Sequence, residues 1–210
     1  MINILMVDDH LIVREGIKRI INDIPDMNII SEASNGNEAM ELILKYTFDI
    51  VLLDISMPIL NGLQTLKLIK KHNNKLPVLM LSMHSEEQYA MRSMKAGASG
   101  YMTKEIAAQE LVSAIRKIND GRKYISKEVA ELLTTDLYHA EDKDPHENLS
   151  DREFEILKMI AKGLTAKAIA TELIISPKTV STYRGRILDK LNIKSTSEII
   201  HYVIDYSLTD

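Results

Sequence analysis

The 210-residue chain has no cysteine. That excludes disulfides, thiolate metal sites and cysteine nucleophiles. It also lacks any apolar run approaching the ~18 residues of a membrane span. The short apolar stretch at Ile2–Val7 leads straight into Asp8-Asp9. That is not the layout of a secretory leader, and a cytosolic protein is the simplest expectation. No internal repeat or low-complexity tract is visible. A strong charge of one sign is missing too: the formal net charge is −4. That small value hides an asymmetry. Residues 1–120 carry 13 Lys/Arg against 15 Asp/Glu, residues 121–147 carry 4 against 7, and residues 148–210 carry 9 against 8. Within the last part, Lys178, Arg184, Arg186, Lys190 and Lys194 face one acidic residue, Asp189, over 176–194. A positive stretch on an acidic chain points to a nucleic-acid face.

What is present is ordinary for a two-domain globular protein: 45% hydrophobic and 27% charged residues. The first 120 residues are organised around Asp49–Gly62, DIVLLDISMPILNG. The run Ile50–Leu53 reads as a central strand of a parallel sheet, buried on both faces, and it ends in Asp54. Pro58 and Asn61-Gly62 mark the loop that follows. Around this stretch, strands are predicted at Ile4–Val7, Asn28–Ala33, Pro77–Leu81 and Ser99–Met102. Helices are predicted after His10 (Val13, Ile17, Ile20, Ile21, Ile24), over Asn37–Lys45, from Leu63 to about His72, through Glu87–Lys95, and around Leu111, Ile115 and Ile118. Five strands alternating with five helices predict an α/β, doubly wound, five-stranded parallel sheet.

On that topology Asp8-Asp9, Asp54, Ser82 and Lys104 each follow a different strand and meet at one sheet edge, where such folds bind ligands. Each alone has a bland reading: a helix cap for Asp8-Asp9 or Ser82, a solvated charge for Lys104. Together they form a chemical set. Clustered carboxylates repel one another and raise each other's pKa values. A hard divalent cation, Mg²⁺, relieves that repulsion. Asp54 then reads as an in-line nucleophile toward phosphorus, Lys104 as the partner of one phosphoryl oxygen and Ser82 of another. His10 and His84, with no cysteine and no third histidine to join them, do not make a transition-metal site.

Residues 1–120 resemble the receiver domain of two-component response regulators. The resemblance rests on Asp8-Asp9, Asp54-x-x-Met57-Pro58-x-x-x-Gly62, Ser82, Gly97-Ala98-x-Gly100-Tyr101 and Lys104. It implies that a sensor histidine kinase phosphorylates Asp54. It also implies that Asp9, Asp54 and the Ser56 carbonyl hold Mg²⁺ directly, with Asp8 acting through water, and that Ser82 and Tyr101 form a switch pair. One departure is Glu105, which follows Lys104 where many receivers carry Pro.

Residues 121–147 read as a linker, with a helix expected near 125–137 and a polar tether after it. Residues 148–210 read as four short helices. Ser150-x-x-Glu153 and Ser195-x-x-Glu198 are capping boxes, and Ser176-Pro177 is an N-cap followed by Pro at the first helical position. The three- or four-residue turn before Ser176 gives helix-turn-helix spacing. On helix 177–191, Val180, Tyr183, Ile187 and Leu191 share one face. Lys178, Ser181, Thr182, Gly185 and Asp189 lie opposite, flanked by Arg184 and Arg186. Leu149-Ser150-x-Arg152-Glu153, Gly163-Leu164-Thr165, Ile169-Ala170, Leu173, Ser176–Val180 and Leu188-x-x-Leu191 resemble the all-α DNA-binding domain of the NarL/FixJ (LuxR-type) subfamily. That resemblance puts the third helix in the major groove. Lys178, Ser181, Thr182 and Arg184 would approach bases, Arg186, Lys190 and Lys194 would lie nearer phosphates, and Thr179 belongs to the same DNA-binding set. Ile200, Val203 and Ile204 on the last helix are candidates for a homodimer contact or for intradomain core.

The combined expectation is a cytoplasmic transcriptional regulator that binds double-stranded DNA, does not engage membranes and is switched by phosphorylation toward a dimer. A Mg²⁺-dependent aspartyl phosphatase is disfavoured, because Ser56 stands where such enzymes commonly place a second carboxylate. A regulator whose receiver no longer accepts phosphate is the other alternative.

Overall fold

The computed structural model describes residues 1–83, 87–104, 108–125, 130, 144–206 and 208. The helix expected near 125–137, along with His84 and Glu105, lies outside them. The chain divides into two units, Met1–Leu133 and Thr134–Asp210.

The first unit runs β1 (Ile2–Val7), α1 (Leu11–Asn22), β2 (Met27–Ala33), α2 (Gly36–Lys45), β3 (Ile50–Asp54), α3 (Gly62–His72), β4 (Val78–Ser82), α4 (Glu87–Lys95), β5 (Gly100–Thr103) and α5 (Ala108–Asn119). The sheet is parallel, in the order β2-β1-β3-β4-β5. β3 and β4 are buried along their whole length. This is why they read as unbroken apolar runs rather than as alternating patterns. Several bounds differ from the expected ones by a residue or two. β1 begins at Ile2, and β4 and β5 extend to Ser82 and Thr103, because ladder hydrogen bonds continue over polar residues that a hydrophobic pattern cannot register. The sheet also gains an edge from Tyr124. Its N–H donates to Ser99 O (2.9 Å) and its carbonyl accepts from Tyr101 N–H (3.3 Å). The first residues of the predicted linker therefore pack on β5.

The order 2-1-3-4-5 places its switch point between β1 and β3, where the chain leaves in opposite directions and a crevice opens at the strands' carboxyl ends. Asp8 and Asp9 follow β1, and Asp54 closes β3. The return from Asp54 is tight. A Cβ on Gly62 would lie 2.0 Å from the Asp54 carbonyl oxygen, so only glycine fits at the start of α3. Asn61 caps α3 in a reciprocal box with Gln64.

The second unit contains a 3₁₀ turn (Pro145–Asn148), α6 (Asp151–Ala161), α7 (Ala166–Glu172), α8 (Pro177–Leu191) and α9 (Thr196–Asp205). Ser150 and Glu153 form the expected reciprocal box, and Thr165 and Ser176 cap α7 and α8. The Ser195 box is one-sided. Ser195 Oγ accepts from Glu198 N–H (3.2 Å), but the Glu198 carboxylate takes the N–H of Lys194 (3.0 Å) and the Ser195 hydroxyl (2.9 Å) instead of the Ser195 N–H. The core draws on Phe154, Leu157, Ile169, Val180, Ile187, Leu191, Ile199 and Val203. Val203 is thus intradomain core, Ile200 is half-buried, and Ile204 stays 58% exposed. The candidate dimer set therefore divides between core and surface.

Candidate functional site

Four of the predicted chemical groups meet at the switch point. The Asp8, Asp54 and Lys104 side chains are 0, 2 and 4% exposed. Lys104 Nζ lies 2.7 Å from Asp8 Oδ2 and 2.9 Å from Asp54 Oδ2. These are close charge contacts, yet Lys104 Nζ, Asp8 Oδ2 and Asp54 Oδ2 all lack a hydrogen bond of acceptable angle. Asp9 Oδ1 is likewise buried without one. Register explains the convergence. Asp54 pairs with Leu81, so Ser82 stands one residue further along. Ser82 pairs with Thr103, and its carbonyl accepts the Lys104 N–H at 2.6 Å.

Burial raises the Asp54 carboxyl to about 6, with Asp8 and Asp9 adding to the rise; the ammonium of Lys104 opposes it without cancelling it. Desolvation therefore outweighs the single nearby cation at this carboxylate. Three buried carboxylate oxygens without hydrogen bonds, in one cluster, fit a hard oxygen-seeking cation better than they fit one another.

Ser82 is buried, and Tyr101 lies inward at 6% exposure with its hydroxyl bonded to Ser82. Burial pushes that phenol up to about 12. Ser56 is on the exposed part of the β3–α3 loop. Sequence reasoning set His10 aside, yet its Nδ1 lies 2.8 Å from Asp9 Oδ1 and 3.4 Å from Asp8 Oδ1, so it belongs to the acidic cluster at its open side. Its place directly after the acidic pair was the available signal.

The second predicted face is α8. Val180, Ile187 and Leu191 are buried and Tyr183 half-buried, while Lys178, Ser181, Thr182, Arg186, Lys190 and Lys194 are exposed. The hydroxyls of Ser181 and Thr182 donate to Pro177 O and Lys178 O (3.1 Å each), and Thr179 Oγ1 pairs with Ser176 Oγ (2.8 Å). What Ser181 and Thr182 offer outward is therefore lone pairs and a methyl group. A Cβ at Gly185 would meet nothing within 4 Å, so no neighbour inside the unit demands glycine there. Two predicted contacts have intradomain partners. Arg184 Nε donates to Thr196 Oγ1 (3.0 Å), and Lys190 Nζ binds Glu153 (2.7 Å) and the Asn148 carbonyl (3.2 Å).

Residues 4–116 match the response regulator receiver domain, and residues 147–203 match the bacterial regulatory proteins of the luxR family. The chain is 40% identical to the response regulator UvrY of Escherichia coli K12, over 99% of this chain and 96% of that one. It is 36% identical to the response regulator GacA of Pseudomonas aeruginosa, over 100% and 99%. A solved complex of the response regulator RcsB with DNA resembles it with a TM-score of 0.60 and 25% identity, over 96% of this chain and 97% of that one. Among the described residues no helix is long and apolar enough to cross a membrane. With a receiver fold whose acidic crevice stands at the switch point, followed by a LuxR-type helix-turn-helix unit, the chain belongs to the NarL/FixJ family of two-component response regulators: DNA-binding transcription regulators, not enzymes turning over an external substrate.

Proposed function

We propose that Asp54 is the phosphoacceptor, that a sensor histidine kinase is its donor, and that the phosphorylated protein dimerises on promoter half-sites. The observation that carries this reading is the buried Asp8–Asp54–Lys104 group. An Asp54 oxygen attacks phosphorus in line, the bond from phosphorus to the donor imidazole breaks, and the phosphoryl group is left on the carboxylate. Lys104, freed from one of its two carboxylates, pairs with a phosphoryl oxygen, and the Ser82 hydroxyl donates to another. Asp9, Asp54 and the Ser56 carbonyl would hold Mg²⁺, with Asp8 acting through water; when bound, the cation neutralises phosphoryl charge. Ser82 and Tyr101 act as the switch pair, since a phosphoryl group that engages Ser82 competes with the Tyr101 hydroxyl for it.

A protein donor is supported by the surroundings. Leu11 and Ile12 in the first turn of α1, and Ile59 and Met83 on the β3–α3 and β4–α4 connections, are exposed apolar residues at the same sheet edge as Asp54. In the second domain, residues 148–210, Lys178, Thr179, Ser181, Thr182, Arg186 and Lys194 are the DNA-facing set, with Arg184 at its border. Exposed Ile204 is left for the dimer contact. Residues 1–120 form the receiver and 121–147 the linker. The absence of cysteine and the DNA partner support a cytoplasmic location.

The test is intact-protein mass after incubation with acetyl phosphate and Mg²⁺. One phosphoryl adduct is expected on the wild type and none on Asp54→Asn. An adduct on Asp54→Asn would overturn the nucleophile assignment.

A further inference from the structure

Five helices among the described residues end in the same way. A residue at or just after the C-cap turns left-handed, its N–H bonds back three residues, and the next N–H bonds back five. Gly97 ends α4 with φ +96°, Gly121 ends α5 with φ +78°, and Gly163 ends α6 with φ +81°. Asn192 ends α8 with φ +55°. Each of these is a residue type that tolerates the left-handed region. The fifth ending is α7. There the left-handed residue is Ile174 (φ +52°), with its N–H on Thr171 O (3.3 Å) and the Ile175 N–H on Ala170 O (3.0 Å). A β-branched residue is among the worst choices for this position.

Nothing inside the unit explains Ile174. Its side chain is 62% exposed, so it contributes little to the core. The backbone around it has little room to relax. Arg152, buried at 4% exposure, donates to the carbonyl of Leu173, the C-cap residue just before it (3.1 Å). On the other side Ser176 caps α8 through Thr179 N–H (3.0 Å), with Pro177 fixing the first turn. A strained residue held in place without an internal benefit points outward, to a contact the chain makes with something else. Ile174 stands in the turn of the helix-turn-helix, two residues before the α8 N-cap. The exposed Lys178, Ser181 and Thr182 begin two residues beyond that cap.

We propose that Ile174 is an apolar DNA contact, held at the tip of the turn to press on a thymine C5-methyl or a deoxyribose at the edge of the groove that α8 enters. This rests on the DNA-binding reading and adds to it a determinant outside the recognition helix. Both targets present the same chemistry, a small apolar surface beside phosphates. The turn's strain is then retained for binding rather than for folding.

The experiment uses full-length wild type, Ile174→Asn, Ile174→Gly and Ile174→Val. The probe is the tightest-binding duplex that the wild type selects from a randomised pool. Asn fits the left-handed position, so Ile174→Asn should unfold at the same or a higher temperature while its Kd rises roughly tenfold. Because the lost contact is apolar, the dependence of Kd on salt should keep its slope. Ile174→Gly should match it in binding, and Ile174→Val should stay near the wild type. Replacing single thymines of the probe by deoxyuridine separates the two targets. A cost seen with the wild type and absent with Ile174→Asn identifies the methyl; no such coupling identifies the sugar. If Ile174→Asn and Ile174→Gly bind the selected duplex as tightly as the wild type, the contact does not exist. If the wild type binds no duplex from the pool, the DNA-binding reading falls and the contact with it.

Discussion

The carboxyl of Asp54 titrates at about 6 in the fold against an ordinary 3.8, and burial is the main cause. The sign follows directly. Below pH 3.8 the carboxyl is protonated in both folded and unfolded chains, and it costs nothing. Between 3.8 and 6 the unfolded chain releases the proton while the folded one retains it, so the folded state loses ground as pH rises. Above 6 both are ionised and the loss is complete. A gap of about two pH units at roughly 1.4 kcal/mol each amounts to about 3 kcal/mol, a large share of a typical domain's stability. Asp54→Asn keeps the shape of the protonated form and cannot ionise. In the absence of divalent cation it should therefore stabilise the receiver by about 3 kcal/mol at pH 7. At pH 4.5 the gain shrinks to about 1 kcal/mol, because the wild type is largely protonated there.

Hydrogen exchange of the β1, β3 and β4 amides, read by mass spectrometry with EDTA present, localises the effect to the receiver. After normalisation for intrinsic rates, Asp54→Asn should slow exchange about a hundredfold at pH 7 and less than tenfold at pH 4.5. Saturating Mg²⁺ should then slow exchange in the wild type and narrow the gap, since a ligand that binds only the folded state stabilises it by mass action. An equal effect at both pH values, or a destabilised Asp54→Asn protein at pH 7, would refute the view that desolvation outweighs Lys104 at this carboxylate.

Other substitutions separate fold from function. Gly62→Ala places a methyl 2.0 Å from the Asp54 carbonyl and should cost at least ~3 kcal/mol of receiver stability by urea unfolding, with loss of the phosphoryl adduct. Lys194→Ala should weaken DNA binding and lower the salt slope by about one in a fluorescence-anisotropy titration, whereas an unchanged slope would remove Lys194 from the phosphate contacts. Lys190→Ala should leave that slope alone and lower the melting temperature of the second unit instead, because Lys190 is held by Glu153 and Asn148. Gly185→Ala should stabilise α8 by up to ~1 kcal/mol, since nothing crowds the new methyl, and should weaken DNA binding; unchanged affinity would refute a close backbone approach.

The fold was legible because its signals are local and redundant. β3 and β4 are apolar up to their last residues, Asp54 and Ser82, and their short runs bounded by turn signals read as buried strands, while five βα alternations leave few topologies. The acidic site was legible for the same reason: parallel strands put their carboxyl ends together, so Asp8, Asp54, Ser82 and Lys104 could be joined without coordinates. What escaped depends on contacts between residues far apart in sequence. Lys190, expected near phosphates from its basic neighbours on α8, also has intradomain partners 37 and 42 residues upstream. Arg184 likewise reaches across to Thr196 at the start of α9. Tyr124 joins the sheet edge through backbone bonds that carry no side-chain signature. Glu198 reads as half of a capping box, but the Lys194 N–H competes successfully for its carboxylate.

The two functional ends of the chain depart from stability in different ways. At Asp54 the departure is electrostatic: two carboxylates and one lysine are buried together beside the partly exposed Asp9, and the charge of Asp54 is left under-compensated. On the proposed function a cation and a phosphoryl group would both engage that imbalance, making it the source of the switch's energy rather than a defect beside it. At Ile174 the departure is conformational, and the same chain uses glycine or asparagine for the same turn four other times. Neither cost is removed by folding. On the two proposals each would be offset by a partner arriving from outside, a phosphoryl group for the first and a duplex for the second. A sequence optimised for stability alone would replace both residues, and on the proposed roles each replacement would remove a step of function.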